Sequence, residues 1–191
     1  MRKLVSHLIM TLDGVAQFDA VADRIGKLRD TEEVLADFFA KVADEDAMVL
    51  GRVTYEEWEG YWPTSTAQPF ADHINNVPKY VISETLEKVH WGTSGNATLL
   101  KGDLANVIAA LKQQPGKNVG VHGSIRLVES LLHADLLDEL RLEIYPVVAG
   151  SGARLFQEGR PPKQLKLATS HTTSNGVVIV TYQPDRLAQS A

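Results

Sequence analysis

Cysteine is absent from this sequence of 191 residues. That excludes disulfides, iron–sulfur clusters, thiolate zinc sites and a cysteine nucleophile. It also suits a reducing compartment, so a cytoplasmic protein is expected. No basic run occurs: 19 basic residues stand against 24 acidic ones, for a net charge of -5, which argues against a nucleic-acid partner. No apolar stretch approaches the roughly 20 residues that a membrane-crossing helix needs. The opening Met1-Arg2-Lys3 and Leu4 to Met10 are interrupted by Ser6 and His7 and end at Thr11-Leu12-Asp13-Gly14. This reads as a buried first strand rather than a secretion signal. There is no Walker phosphate loop and no Gly-x-Ser-x-Gly elbow. The six histidines, His7, His73, His90, His122, His133 and His171, lack metal-ligand spacing, so no metal is expected. Repeats, linkers and low-complexity segments are missing as well.

What is present is the composition of one folded domain. Hydrophobic residues make up 44% and charged residues 23%, enough for a full core. The domain is expected over 1–184, with 185–191 as a frayed tail. Leu4 to Leu12 is the first strand, and Val15 to Arg29 reads as a polar loop. Asp30-Thr31-Glu32-Glu33 opens a helix whose apolar stripe is Val34, Leu35, Phe38, Phe39 and Val42. Ala47 to Leu50 is a short buried strand ending at Gly51, and Thr54-Tyr55-Glu56-Glu57 reads as a capping box for the next helix. Trp58, Tyr61, Trp62 and Pro63 close that segment as packing residues, and Ala67 to Val77 holds a short helix. Lys79 to Ile82 and Thr98 to Leu100 are strands, and Asp103 caps a helix carrying Leu104, Val107, Ile108 and Leu111. Two final strands, Leu165 to Thr173 and Val177 to Tyr182, meet at Asn175-Gly176, a strong hairpin signal. The alternation predicts an α/β sheet flanked by helices, made mixed by the terminal hairpin.

The segment from Val119 to Phe156 organises the rest. Val119 to Val121 is a strand, His122-Gly123-Ser124 a tight turn, and Ser124 the N-cap of a helix with Ile125, Val128, Leu131 and Leu132 on one face. Leu140, Leu142 and Ile144 then alternate with Arg141, Glu143 and Tyr145, a strand pattern. A helix start offers free N–H groups and partial positive charge, so the turn is either an anion site, such as for a dinucleotide pyrophosphate, or a bare strand-to-helix connection. Gly150-Ser151-Gly152 begins like a dinucleotide fingerprint, but Leu155 occupies the place of the third glycine. Three strand ends meet polar or glycine turns: Leu50-Gly51-Arg52-Val53-Thr54, Ile82-Ser83-Glu84-Thr85 and His122-Gly123-Ser124. Ligands of open α/β sheets bind beyond such carboxyl ends, and Arg52 and Ser83 are able to hold a phosphate there.

Gly51-Arg52-Val53-Thr54-Tyr55-Glu56 resembles the Gly-Arg-x-Thr-x-Glu turn of the dihydrofolate reductase superfamily. The likeness is to the branch of the reductase domain of the riboflavin-biosynthesis deaminase-reductase. Thr11-Leu12-Asp13-Gly14-Val15, Tyr80-Val81-Ile82-Ser83 and Leu137-Asp138-Glu139-Leu140 to Phe156 match that branch in order, so the resemblance spans nearly the whole chain. It implies a dihydrofolate reductase-like fold, an α/β architecture with a single mixed, mostly parallel sheet of about eight strands, flanked by helices and closed by a C-terminal β hairpin. It implies NADPH as cofactor, with Gly51, Arg52 and Thr54 toward its phosphates and Ser83 near the adenosine ribose phosphate. His122, Gly123, Ser124, Ile125 and Arg126 would cradle the pyrophosphate. Family members usually carry two glycines where this chain has Gly123-Ser124.

On the catalytic side the resemblance points to Asp13, in the family's Asp-Gly turn, and to Glu33, among Asp30, Glu33 and Asp37, where folate-reducing members place a helix carboxylate. The implied activity is NADPH-dependent reduction of a small heterocycle, as in the 5-amino-6-(5-phosphoribosylamino)uracil reductase step of riboflavin biosynthesis. The alternatives are a dihydrofolate reductase, against which the lack of a carboxylate at matching helix spacing speaks, and a non-catalytic nucleotide-binding module. With no cysteine for a zinc site, no deaminase domain is expected. A small-molecule substrate and a homodimer are expected, the second because Leu140 to Val148 ends in an apolar segment that reads as lying near a sheet edge.

Overall fold

The computed structural model describes residues 1–29 and 31–185. Asp30, expected to open a helix, and residues 186–191 of the expected tail lie outside the described residues. The strands are β1 (Leu4–Thr11), β2 (Glu45–Gly51), β3 (Lys79–Ile82), β4 (Ala97–Leu100), β5 (Asn118–Val121), β6 (Glu139–Tyr145), β7 (Leu165–Thr172) and β8 (Val178–Pro184). The helices are α1 (Phe18–Arg29), α2 (Glu32–Val42), α3 (Arg52–Glu59), α4 (Phe70–Asn76), α5 (Leu104–Gln113) and α6 (Ile125–His133), with a 3-10 turn at Trp62–Thr64. One sheet of eight strands has the order β4-β3-β2-β5-β1-β6-β8-β7. β8 runs antiparallel to both of its neighbours and the remaining pairings are parallel.

Each helix docks through the stripe its sequence carries. On one face α5 and α6 bury Ile108, Leu111, Val128, Leu131 and Leu132 against Leu4, Leu8, Val119, Val121, Leu140 and Leu142. Each such side chain stabilises the fold by about 1.5–3 kcal/mol. The other face holds two separate apolar clusters. Val21, Ile25 and Val34 of α1 and α2 pack on Val15, Tyr145, Val177 and Ile179. Tyr55 and Ile74 of α3 and α4 pack on Met48, Leu50, Val81 and Trp91. β1 and β5 run between these clusters.

Three expectations are corrected. Residues 18–29 are helical rather than loop: Val21 and Ile25, one turn apart, are the buried residues of α1, a stripe too narrow to stand out in a polar segment. Thr54 caps nothing, because α3 begins at Arg52 and places Thr54, buried, in its first turn. The segment from Leu140 lies inside the sheet, not at its edge, since β6 pairs with β1 and β8 and ends at Tyr145. The edges are β4 and β7. Glu139, Arg141 and Glu143 of β6 are all buried, and polar partners meet them there.

Candidate functional site

At the carboxyl ends of β2 and β5 two turns lie against each other. The Gly51 amide donates to the Gly123 carbonyl, 3.0 Å away. A Cβ on Gly51 would lie 2.5 Å from Ser124 Oγ, and one on Gly123 2.5 Å from Thr54 Oγ1. Gly123 also has φ +134, a backbone that favours glycine. The Gly123-Ser124 peptide is cis. Helices α3 and α6 therefore start side by side. No side chain caps either start, and Ser124 stands at the N-cap without a capping bond. By contrast α5 is capped, with Asp103 accepting from the Asn106 amide at 3.0 Å. Two uncapped helix starts set together offer free N–H groups and converging positive dipole ends to an anion.

The other expected residues fall around this rim. Arg52 is half-exposed, and its guanidinium pairs with Glu56 at 2.8 Å. Such an exposed pair contributes only roughly 0.3–0.5 kcal/mol. β3 lies next to β2, with Gly51 in register with Ile82, which puts Ser83 beside Arg52's turn. The Ser83 hydroxyl accepts from the amides of Thr85 and Leu86, both at 3.2 Å. Ile125 packs on the core and Arg126 is exposed. His122 belongs to the turn, but its ring points inward, with Nε2 2.7 Å from Glu45 Oε2.

Asp13 and Glu33 are held by different partners. Asp13 accepts from Thr11 Oγ1 at 2.7 Å, from the Ala149 amide at 3.0 Å and from the Gly150 amide at 2.9 Å. These bonds, the threonine's first, hold its carboxyl well below the usual carboxylate range. It ties the end of β1 to the loop after β6. Glu33 accepts from the amide and hydroxyl of Ser174 at 2.6 and 3.0 Å, which lowers its pKa and ties α2 to the terminal hairpin.

The sequence concealed a buried polar seam between the two apolar clusters. His7 Nε2 lies 2.8 Å from Glu143 Oε1, and Tyr145 donates to Glu143 Oε2 at 2.9 Å. The rings of His7 and His122 stack 6.5 Å apart, so this pair stands beside the His122–Glu45 pair. Burial pushes the Glu143 carboxyl up, but the bonds from His7 and Tyr145 outweigh it and leave the group below its ordinary value. Burial lowers His73 of α4, whose charge is also felt by Glu45 and His122. His7 Nδ1, Glu45 Oε1 and His73 Nε2 are buried without a hydrogen-bond partner. Phe38 of α2 lies 5.0 Å from the His7 ring, and Trp58 and Phe70 lie 5.8 and 6.2 Å from His122. One signal was available: Gly120 is a glycine inside a strand, which marks a close approach, and the Glu45 carboxylate lies where its Cβ would be.

The profile of the RibD C-terminal domain family matches residues 2–179. The uncharacterized protein YyaP of Bacillus subtilis is 27% identical over 189 residues, covering 95% of this chain and 94% of that protein. Among solved structures, a putative riboflavin biosynthesis protein from Shewanella sp. PV-4 superposes with a TM-score of 0.79 at 22% identity, covering 96% of this chain and 99% of that one. Dihydrofolate reductase from Enterococcus faecalis, complexed with NADP(H) and RAB-propyl, superposes with a TM-score of 0.62 at 14% identity, covering 96% of both chains. The fold is thus dihydrofolate reductase-like.

Proposed function

This chain belongs to the RibD C-terminal domain family, and on that premise we propose that it is an NADPH-dependent reductase of a small heterocyclic substrate. The substrate class is a ribosyl- or ribityl-aminopyrimidine of the riboflavin route, and the working form is a homodimer. The observation that carries the reading is the convergence of two uncapped helix starts, α3 and α6, at the Gly51–Gly123 contact. A pyrophosphate fits that place, with Ser124 Oγ free of a capping bond and Arg52 held only by an exposed glutamate. NADPH, when bound, supplies the hydride. The protein holds the dinucleotide by its phosphates, orients the acceptor and keeps water away. A true dihydrofolate reductase is disfavoured by Glu33, whose carboxylate is engaged by Ser174.

Calorimetric titration with NADPH tests the cofactor. Loss of NADPH absorbance on adding 5-amino-6-(5-phosphoribosylamino)uracil tests the substrate. Binding and oxidation together are expected. Binding without oxidation of that pyrimidine would retain the cofactor and reject the substrate class, and no binding would reject the reading. Light scattering checks the dimer, which requires twice the chain's 21.0 kDa.

A further inference from the structure

Reduction of a C=O or C=N bond needs a proton as well as a hydride, and both expected carboxylates accept hydrogen bonds from other parts of the chain. Asp13 is a loop clamp and Glu33 a hairpin clamp. The buried seam holds a group of a different kind. His7 presents one ring nitrogen to Glu143 at 2.8 Å, while the other, Nδ1, is buried and unpartnered. Glu143 is itself held by the Tyr145 hydroxyl at 2.9 Å. A carboxylate on one ring nitrogen fixes the orientation of an imidazole and stabilises its protonated form, leaving the opposite nitrogen to exchange a proton. This ring is also in the right part of the sheet. Ser6 is in register with Val121, the last residue of β5, so His7 stands beside His122, next to the Gly123-Ser124 turn. The rings of Phe38, Trp58 and Phe70, all partly exposed, border the two histidines and offer an apolar wall to a planar heterocycle.

We propose that His7 is the proton donor of the reduction, with Glu143 and Tyr145 as its positioning residues. The proposal rests on the reading of the chain as a nicotinamide-dependent reductase. A bound reduced nicotinamide would supply the hydride to the substrate carbon, and as the π pair of the C=O or C=N bond moved onto the heteroatom His7 would give it the Nδ1 proton. The substrate would thus gain a hydride and a proton, the nicotinamide would be left oxidised, and the buried imidazole would regain its proton from water admitted once product leaves. Other groups facing the ring are Arg141, in register with His7 on β6, and the His122–Glu45 pair. His73 of α4 and the Lys41–Asp37 pair of α2 complete the surroundings.

The test uses the full chain labelled with nitrogen-15 histidine, His7 being assigned from the His7→Gln variant. Nitrogen shifts should show neutral His7 protonated at Nε2, and NADP⁺ should move the Nδ1 resonance. The opposite tautomer, or an Nδ1 resonance indifferent to NADP⁺, would overturn the proposal whether or not a substrate has been found. With the aminouracil as probe, a donor acts only while protonated, so the rate should fall as pH rises. Glu143→Gln removes the charge that favours imidazolium and should move that fall to lower pH. His7→Gln should abolish it and lower turnover by about 10²–10⁴-fold while NADPH still binds. A His7→Gln chain that binds NADPH and turns over like the unaltered one overturns this proposal alone. An unaltered chain that does not bind NADPH overturns the reductase reading with it. If His7→Gln does not fold, the Glu143→Gln profile decides, an unmoved fall counting against the proposal.

Discussion

The carboxylate of Glu45 occupies the space that a side chain on Gly120 would need, and from there it reaches His122 at 2.7 Å. Gly120→Ala therefore cannot be accommodated without moving Glu45, whose side chain is fully buried. Separating a buried charged group from its partner costs about 3–5 kcal/mol. Urea unfolding should show a loss of at least that order. A change under about 1 kcal/mol, the usual effect of a surface substitution, would mean that the pair contributes little.

Arg52 should discriminate between cofactors. NADPH carries one phosphate more than NADH, on the adenosine ribose, and a charge-assisted bond to a phosphate contributes roughly 1.5–3 kcal/mol. Arg52→Ala should then weaken NADPH by roughly 10- to 150-fold and leave NADH nearly unchanged in calorimetric titration. Equal losses would place the guanidinium at the pyrophosphate, and no loss would leave it a surface charge.

Asp13→Asn should loosen the loop after β6. The amides of Ala149 and Gly150 lose a charged acceptor, so their hydrogen exchange should quicken. The pH dependence has a definite sign. The folded-state pKa lies below the ordinary 3.8, so the clamp is at full strength above that value and weakens as pH falls below it. Protection of these two amides, measured against their intrinsic exchange rates, should therefore fall in acid in the unaltered chain and stay level in the variant.

Lys79 should give a slope of the same sign in the alkaline range. It is fully buried at the start of β3, donating to the Asn75 carbonyl and to Asn96 Oδ1 at 3.0 and 3.2 Å, with its ammonium 4.6 Å from the Trp91 ring centre. Burial holds its pKa down to about 8, from 10.5. Between those values the unfolded chain binds the proton that the folded chain has released, so stability from this group rises with pH across the window. Lys79→Met should flatten that part of the profile in denaturation measured from neutral to alkaline pH.

The parts of the fold that were legible are those whose signal is local. Leu127 to Leu132 wrote a helix stripe, Asn175-Gly176 a hairpin, and Gly51 and Gly123 the ends of strands. α1 escaped because Val21 and Ile25 are its only buried residues, a narrow stripe with Ala20 and Leu28 half-buried beside it. β6 was misplaced because the apolar segment that follows it reads as an exposed edge, and the partners that bury its polar residues inside the sheet are not legible locally. Those partners are remote in sequence: His7 and Glu143 are 136 positions apart, Glu45 and His122 77. No spacing rule reaches that far, and the donor proposed for the reaction sits in the part of the site that only the sheet order brings together.

The sheet order also fixes when this protein is able to close. β1 is the first strand made, yet it pairs with β5 and β6. On a ribosome adding roughly 5–20 residues per second, the last residue of β6 follows β1 by on the order of ten seconds. Through that interval Leu4 to Thr11 is an unpaired, strand-forming segment, the kind that aggregates. Ser6 and His7 break its apolar run. The imidazole buried at the centre of the finished sheet is thus also a polar interruption in the apolar run of that strand while its neighbours are still to be synthesised.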